Sequence, residues 1–325
     1  MLARNRHDVR KGHNGQTLIK ALSYSTCLAA AITGAPQRGF VQSVFRAAAN
    51  ITFPGNFILS LNALDAPRVP NSLQLSTPGG TPPFSSLRVG MPVLLGAQRL
   101  HIEALALSLD LTYCSQWCPK IIRPQQLHPA IIAKNSAWLA QHIVQFHSHS
   151  TPGYPPGVPL LWTVTTWLHS SMVGVPLAGT LGGEVGTVAS IQDMAQQLCG
   201  RGLGLTPTGD DILAGWMAAN WLLHGTHPRL LVAYQDILAV AERQTHLLSQ
   251  CWLRYAAEGY VAEPIGLLLQ ALTRENEIEL ASATQAVLAL GATSGRDVIH
   301  GILLGLAGIP DSLDLHKSRS YDILN

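Results

Sequence analysis

Charge is what this sequence has least of. Asp, Glu, Lys and Arg make up 12% of its 325 residues, roughly half the share of about 25% found in ordinary globular proteins. With 47% hydrophobic residues the bulk is not a disordered chain, because such chains are rich in charge and poor in apolar groups. Neither sign dominates: 21 Lys and Arg face 19 Asp and Glu. The clustered basic excess of a nucleic-acid binder is missing. Cysteine is sparse, with five residues at 27, 114, 118, 199 and 251. Cys114 and Cys118 form a C-x3-C pair, but no second Cys/His pair lies near at zinc-ribbon spacing. A disulfide framework and a structural zinc are therefore not expected, and the pattern fits a reducing cytoplasm. Long clean apolar runs are missing too. Residues 135–183 carry no Asp, Glu, Lys or Arg, but Pro152, Pro155, Pro156 and Pro159 interrupt them, so no membrane span is expected. The basic start, followed by a short apolar run, imitates a secretory signal; Ser23, Tyr24, Ser25 and Thr26 break that run. So few charges leave little to cover the outside, which points to burial against other subunits or a second copy of the chain.

The remaining pattern predicts an α+β protein: a β-rich N-terminal half and an α-helical C-terminal half with buried central helices. Residues 1–38 read as a basic tail and a first element, and 39–150 as a β-rich region. A mainly helical region follows at 160–310, and 311–325 is a C-terminal tail. Strands are expected at 51–62, broken by a Pro-Gly turn, and at 72–75, 88–95 and 101–113. An amphipathic helix is expected at 129–147, where Ile131, Ile132, Trp138, Leu139, His142, Ile143 and Phe146 recur at three- and four-residue steps. The Pro/Gly-rich stretch 151–159 is a soft boundary. Later helices are expected at about 186–200, 209–224, 230–257, 263–273, 277–290 and 295–308.

The most informative stretch is GRGLGLTPTGDDILAG, residues 200–215. Gly200, Gly202 and Gly204 give a loop with little side chain, Thr206 and Thr208 add hydroxyls, and Gly209, Asp210 and Asp211 open a helix. That helix carries no further charge and is apolar all round, which marks it as central. Backbone N–H groups at such a helix start favour an anion. The loop lacks the Lys-Ser/Thr ending of a P-loop, so a standard nucleotide site is not supported.

The same pattern occurs twice. TGDDILAG (Thr208 to Gly215) aligns without a gap on SGRDVIHG (Ser294 to Gly301). The two helix starts can face one another. A simpler reading is that Thr208 with Asp211, and Ser294 with Asp297, form two capping boxes, with Gly215 and Gly301 serving close helix packing. Capping leaves Gly200, Gly202, Gly204 and Asp210 unexplained. Acids in a helical core so poor in charge mark a site, because burying them unpaired is costly. Asp210, Asp211 and Asp297 are the candidate catalytic acids. Arg201, Gly202, Gly204, Thr206, Thr208, Gly209, Ser294, Gly295 and Arg296 are the candidate anion-binding residues. The acids can alternatively hold Mg²⁺ or orient an amide.

These residues resemble the AllH-like family. Its hallmark is similar to residues 200–215, and a later G-x-TSG-x-D segment matches Gly291 to Asp297. The resemblance extends more loosely over 39–308, including GFVQSVFRAAANI at 39–51. It implies a subunit of oxamate carbamoyltransferase in allantoin (purine) catabolism. The implied reaction is carbamoyl transfer between carbamoyl phosphate and oxamate, giving oxalurate and phosphate. The implied partners are further protein subunits and a small anionic substrate. Two alternatives stand beside it: a Mg²⁺-dependent hydrolase or phosphotransferase using the paired acids, and a non-catalytic structural subunit. Cys199 and His300 read as core residues rather than a nucleophile and a ligand. Thr245 and Ser249, four apart on a helix, either face the site or serve the surface.

Overall fold

A computed structural model describes residues 19–76, 84–146 and 191–307. The stretch 151–159, both terminal tails and the first residues of the helix expected at 186–200 lie outside them. The chain is α+β and forms two compact units that part between Cys118 and Pro119.

The first unit is built on one sheet. Its strands are β1 (Lys20–Ser25), β2 (Gln37–Val44), β3 (Ala48–Phe53), β4 (Phe57–Ala63), β5 (Ser72–Ser76), β6 (Pro92–Gly96), β7 (Arg99–Ile102), β8 (Leu107–Asp110) and β9 (Ser115–Trp117), and a short helix α1 (Ala29–Thr33) follows β1. The order across the sheet is β8-β7-β6-β2-β3-β4-β5-β1-β9. Only β4–β5 and β1–β9 among these pairs run parallel. The antiparallel register sets Val41 opposite Ile51 and Ile51 opposite Leu59. Alternation then puts these side chains on one face, where they join Leu61, Leu73 and Ile32 in the core. On the other face of β4, Ser60 and Asn62 are also buried. Ser60 donates to Asn62 Oδ1 at 2.7 Å and Asn62 donates to the Pro67 carbonyl at 2.8 Å, as buried polar groups require. The Pro-Gly turn expected inside 51–62 joins β3 to β4, with Gly55 at φ 74° and Asn56 at φ 60°. Both residue types tolerate that left-handed geometry. The strand expected at 101–113 is instead half of a hairpin. A turn at Glu103–Leu105 ends β7, Ala106 sits at φ 48°, and β8 folds back to pair Leu100 with Leu109.

The second unit is helical: α2 (Pro129–Phe146), α3 (Ile191–Leu198), α4 (Thr208–His224), α5 (Pro228–Gln244), α6 (Leu247–Ala257), α7 (Glu263–Leu272), α8 (Glu277–Leu288) and α9 (Ser294–Ala307). The single helix expected at 230–257 is two helices. α5 ends at Thr245, which is extended (φ −126°, ψ 171°), and α6 starts after His246. The side chain of Thr245 is committed elsewhere, as shown below. α4 is central: from Gly209 to Leu223 every residue but Ala214 is buried. Its far end stops at Gly225, φ 60°. There the Arg123 guanidinium donates to the carbonyls of Leu222 (3.1 Å) and Leu223 (2.7 Å), placing a cation on the negative end of the helix.

Candidate functional site

The repeated pattern becomes a symmetric crossing of α4 and α9. At Gly215 an added Cβ would lie 2.1 Å from the Val298 carbonyl oxygen and 3.0 Å from Ile302 N. At Gly301 it would lie 2.0 Å from the Ile212 oxygen and 2.9 Å from Trp216 N. Val298 holds the place in the second copy that Ile212 holds in the first, and Ile302 the place of Trp216. The contacts are therefore reciprocal about a local two-fold axis. Gly209 and Gly295, six residues earlier in each copy, are a second matched pair. Their added Cβ atoms would collide with the Leu198 and Val287 carbonyls at 2.0 and 1.9 Å. Each helix start is thus wedged on the end of the helix before it.

This crossing brings the two starts together, and the hydroxyls pair across it. Thr208 Oγ1 donates to Asp297 Oδ2 at 3.0 Å. In the mirror relation the Ser294 hydroxyl hydrogen-bonds to Asp211, and Thr206 joins it. Thr206 and Ser294 lie 2.9 Å apart, oxygen to oxygen. The capping-box reading fails for the first copy: Thr208 is already helical, Pro207 is the cap residue, and no side chain caps the start. Thr208 spends its hydroxyl on the other copy's acid instead of its own helix.

The two acids are almost fully buried, Asp211 at 2% exposure and Asp297 at 1%. Burial pushes the Asp211 carboxyl up to about 8; Ser294 and Thr206 oppose this, while Asp297 and Asp210 reinforce it. Its Oδ2 has no hydrogen-bond partner. Burial also raises Asp297 above the usual carboxylate range, against the hydroxyl of Thr208, the nearby Arg296 and the hydroxyl of Thr293. Arg296 Nε stands 3.5 Å from Asp297 Oδ1. Thr293 precedes the repeated pattern and has no counterpart in it, since Pro207 occupies the equivalent position; the pattern alone did not single it out.

Asp210 has a different job. It is 1% exposed and faces the scaffold. It accepts from Gly200 N–H at 2.9 Å, from Ser249 at 2.7 Å and from Thr245. These bonds tie the root of the glycine loop to the turn between α5 and α6. Gly200 can sit there only without a side chain, at φ 72° and with Gln244 O 2.1 Å from where a Cβ would be. The loop closes where Gly209 N–H donates to the Arg201 carbonyl at 2.9 Å, so that N–H serves the fold. Gly202, at φ 119°, lies against Thr208. Arg201, Gly202 and Gly204 are exposed at the tip with Leu203 and Leu205, while Thr206, Thr208 and Ser294 are half-buried. Exposure therefore falls from the loop backbone to the hydroxyls and then to the acids.

Cys199 is buried beside Asp210, and its thiol is pushed up to about 12, first by burial and then by that charge. It stays protonated near neutral pH and is no nucleophile. His300 is buried on α9. Among the described residues no group of three or more His, Cys, Asp or Glu is placed to hold a metal ion. No helix among them is long and apolar enough to cross a membrane.

The family model described as oxamate carbamoyltransferase subunit AllH matches residues 198–306. The model of the AllH family N-terminal domain matches residues 20–116. Together they span the sheet and the helices that carry the site. No solved structure matches the chain.

Proposed function

Since this chain belongs to the AllH family, we propose that it is a subunit of an oxamate carbamoyltransferase and that the crossing of α4 and α9 carries its carbamoyl-transfer site. One observation carries the reading: Asp211, Thr206 and Ser294 meet where two helix starts converge, inside the matched region. In the synthetic direction the amide nitrogen of oxamate attacks the carbamoyl carbon of carbamoyl phosphate. The C–O bond to phosphate breaks, phosphate leaves, and the nitrogen loses a proton to give oxalurate. In the catabolic direction of allantoin breakdown, a phosphate oxygen attacks oxalurate and oxamate leaves.

Such a transfer needs no covalent intermediate on the protein; positioning and electrostatic stabilisation suffice. Thr206, Thr208 and Ser294 supply hydroxyls for phosphate or carboxylate oxygens, and Arg201 and Arg296 supply positive charge. Asp211 and Asp297 orient the carbamoyl group, or hold a Mg²⁺ if the reaction uses one. Asp210 sets the loop. The exposed Leu203, at 86%, supports assembly with other subunits, and five free cysteines suit the cytoplasm.

Thermal-shift measurements on the purified chain test this. A ligand that binds only the folded state raises its apparent stability, by about 2.7 kcal/mol at a hundred times its Kd. Carbamoyl phosphate or phosphate is expected to raise the melting temperature, and a Thr206→Val/Ser294→Ala double variant to lose that rise. No shift with carbamoyl phosphate, phosphate, oxamate or Mg²⁺ would take the site away from this chain.

A further inference from the structure

The two-fold relation between the helix starts is broken where the first copy has Asp210 and the second Arg296. The consequence is electrostatic. The charged groups acting on Asp211 are both negative, Asp297 across the crossing and Asp210 beside it. Asp297 has Arg296 against it, Nε to Oδ1 at 3.5 Å. Each acid accepts from a hydroxyl of the other copy, but Asp211 also keeps one oxygen, Oδ2, buried without a partner. Leaving a buried acceptor unpaired is costly, so a ligand that brings a donor to it is favoured. The donor group itself cannot carry negative charge, because two carboxylates already lie beside it. An uncharged N–H meets both requirements.

We propose that the Asp211 half of the site takes the uncharged primary-amide end of a short ligand, with Asp211 Oδ2 accepting from its N–H, and that the ligand's anionic end lies on the Arg296–Asp297 side. The inference rests on the carbamoyl-transfer reading and adds a direction to it. It makes Asp211 the residue that selects an amide over an isosteric group without N–H. Oδ2 accepts when the carboxyl is ionised, and burial pushes that carboxyl up to about 8, so the comparison is made at pH 9.

The test compares oxamate with pyruvate on the full chain by titration calorimetry. The two share charge and shape and differ in one group, an amide NH₂ against a methyl. A site that hydrogen-bonds a ligand N–H rejects the analogue lacking it steeply, and here oxamate is expected to bind about a hundredfold tighter or more. In Asp211→Leu the preference should fall to near one, while Arg296→Gln should weaken both ligands and leave their ratio unchanged. If Asp211→Leu does not fold, Asp211→Ala takes its place, and an unchanged preference for oxamate there would overturn the assignment of Asp211. Equal affinities for oxamate and pyruvate would overturn the assignment of Asp211 and leave the carbamoyl-transfer reading standing. Failure of oxamate, pyruvate and inorganic phosphate alike to bind would overturn both.

Discussion

Replacing Asp211 by Asn should stabilise the protein, and increasingly so as pH rises. Asp211 is 2% exposed, has a buried oxygen without a partner and has two other acids as its charged neighbours. Its carboxyl loses its proton near 3.8 when unfolded and near 8 when folded. Between those values the folded state holds a proton that the unfolded state has released. The stability tied to that proton is complete below about pH 4. It is lost as pH rises to about 8, and the loss then levels off. About four decades in proton affinity, at ~1.4 kcal/mol each, set a ceiling of roughly 6 kcal/mol. Local relaxation and water lower this, so roughly 2–4 kcal/mol is the expected size. Asn has nearly the same shape, does not titrate, and can still bond to Thr206 and Ser294. Urea unfolding of both proteins, followed by helical circular dichroism from pH 5 to pH 9, measures the difference. It should be small at pH 5, grow with pH in favour of the variant, and flatten above about pH 8. Asp210→Asn is the control: Asp210 accepts from three donors, so that variant should lose about 1–3 kcal/mol. A pH-independent difference for Asp211→Asn, or a destabilisation matching Asp210→Asn, would refute the claim that Asp211 is a strained buried acid.

The helix crossing makes its own prediction. Gly215→Ala and Gly301→Ala each place a methyl about 2 Å from a carbonyl of the partner helix, and overpacking of this kind costs roughly 1–3 kcal/mol or more. Both should lower the melting temperature by several degrees, whereas Gly204→Ala, with open space around its Cβ, should cost only the backbone strain of φ 94°. Equal losses at all three positions would contradict the close crossing. Cysteine labelling separates surface from core: iodoacetamide at pH 8 should modify the exposed Cys118 and spare Cys199, whose buried thiol ionises only at about 12. Rapid native-state labelling at Cys199 would contradict its burial.

How much of this was legible in the residues depends on which scale carried the signal. The α+β division and the position of α4 were readable because burial leaves a period in the sequence; a helix with no charge after Asp211 has nowhere to lie but the centre. The breaks inside 101–113 and 230–257 were not. A hairpin and a continuous strand share the same alternation, and Thr245 ends α5 through a bond to Asp210, 35 residues away. The repeated eight residues announced two like helix starts, but their spacing was ambiguous. A hydroxyl three residues before an acid serves equally to cap its own helix or to reach the acid of another. What distinguishes the two is the glycine that ends each copy. A capping box needs nothing at the eighth position, whereas a crossing close enough for Thr208 to reach Asp297 needs that position bare on both helices, as it is at Gly215 and Gly301. The same logic separates the two acids of the GDD run. Asp210 and Asp211 are adjacent on a helix and so point about 100° apart, one toward the α5–α6 turn and one toward the crossing. Adjacency in sequence made them look like a catalytic pair, and helix geometry assigns them to opposite tasks.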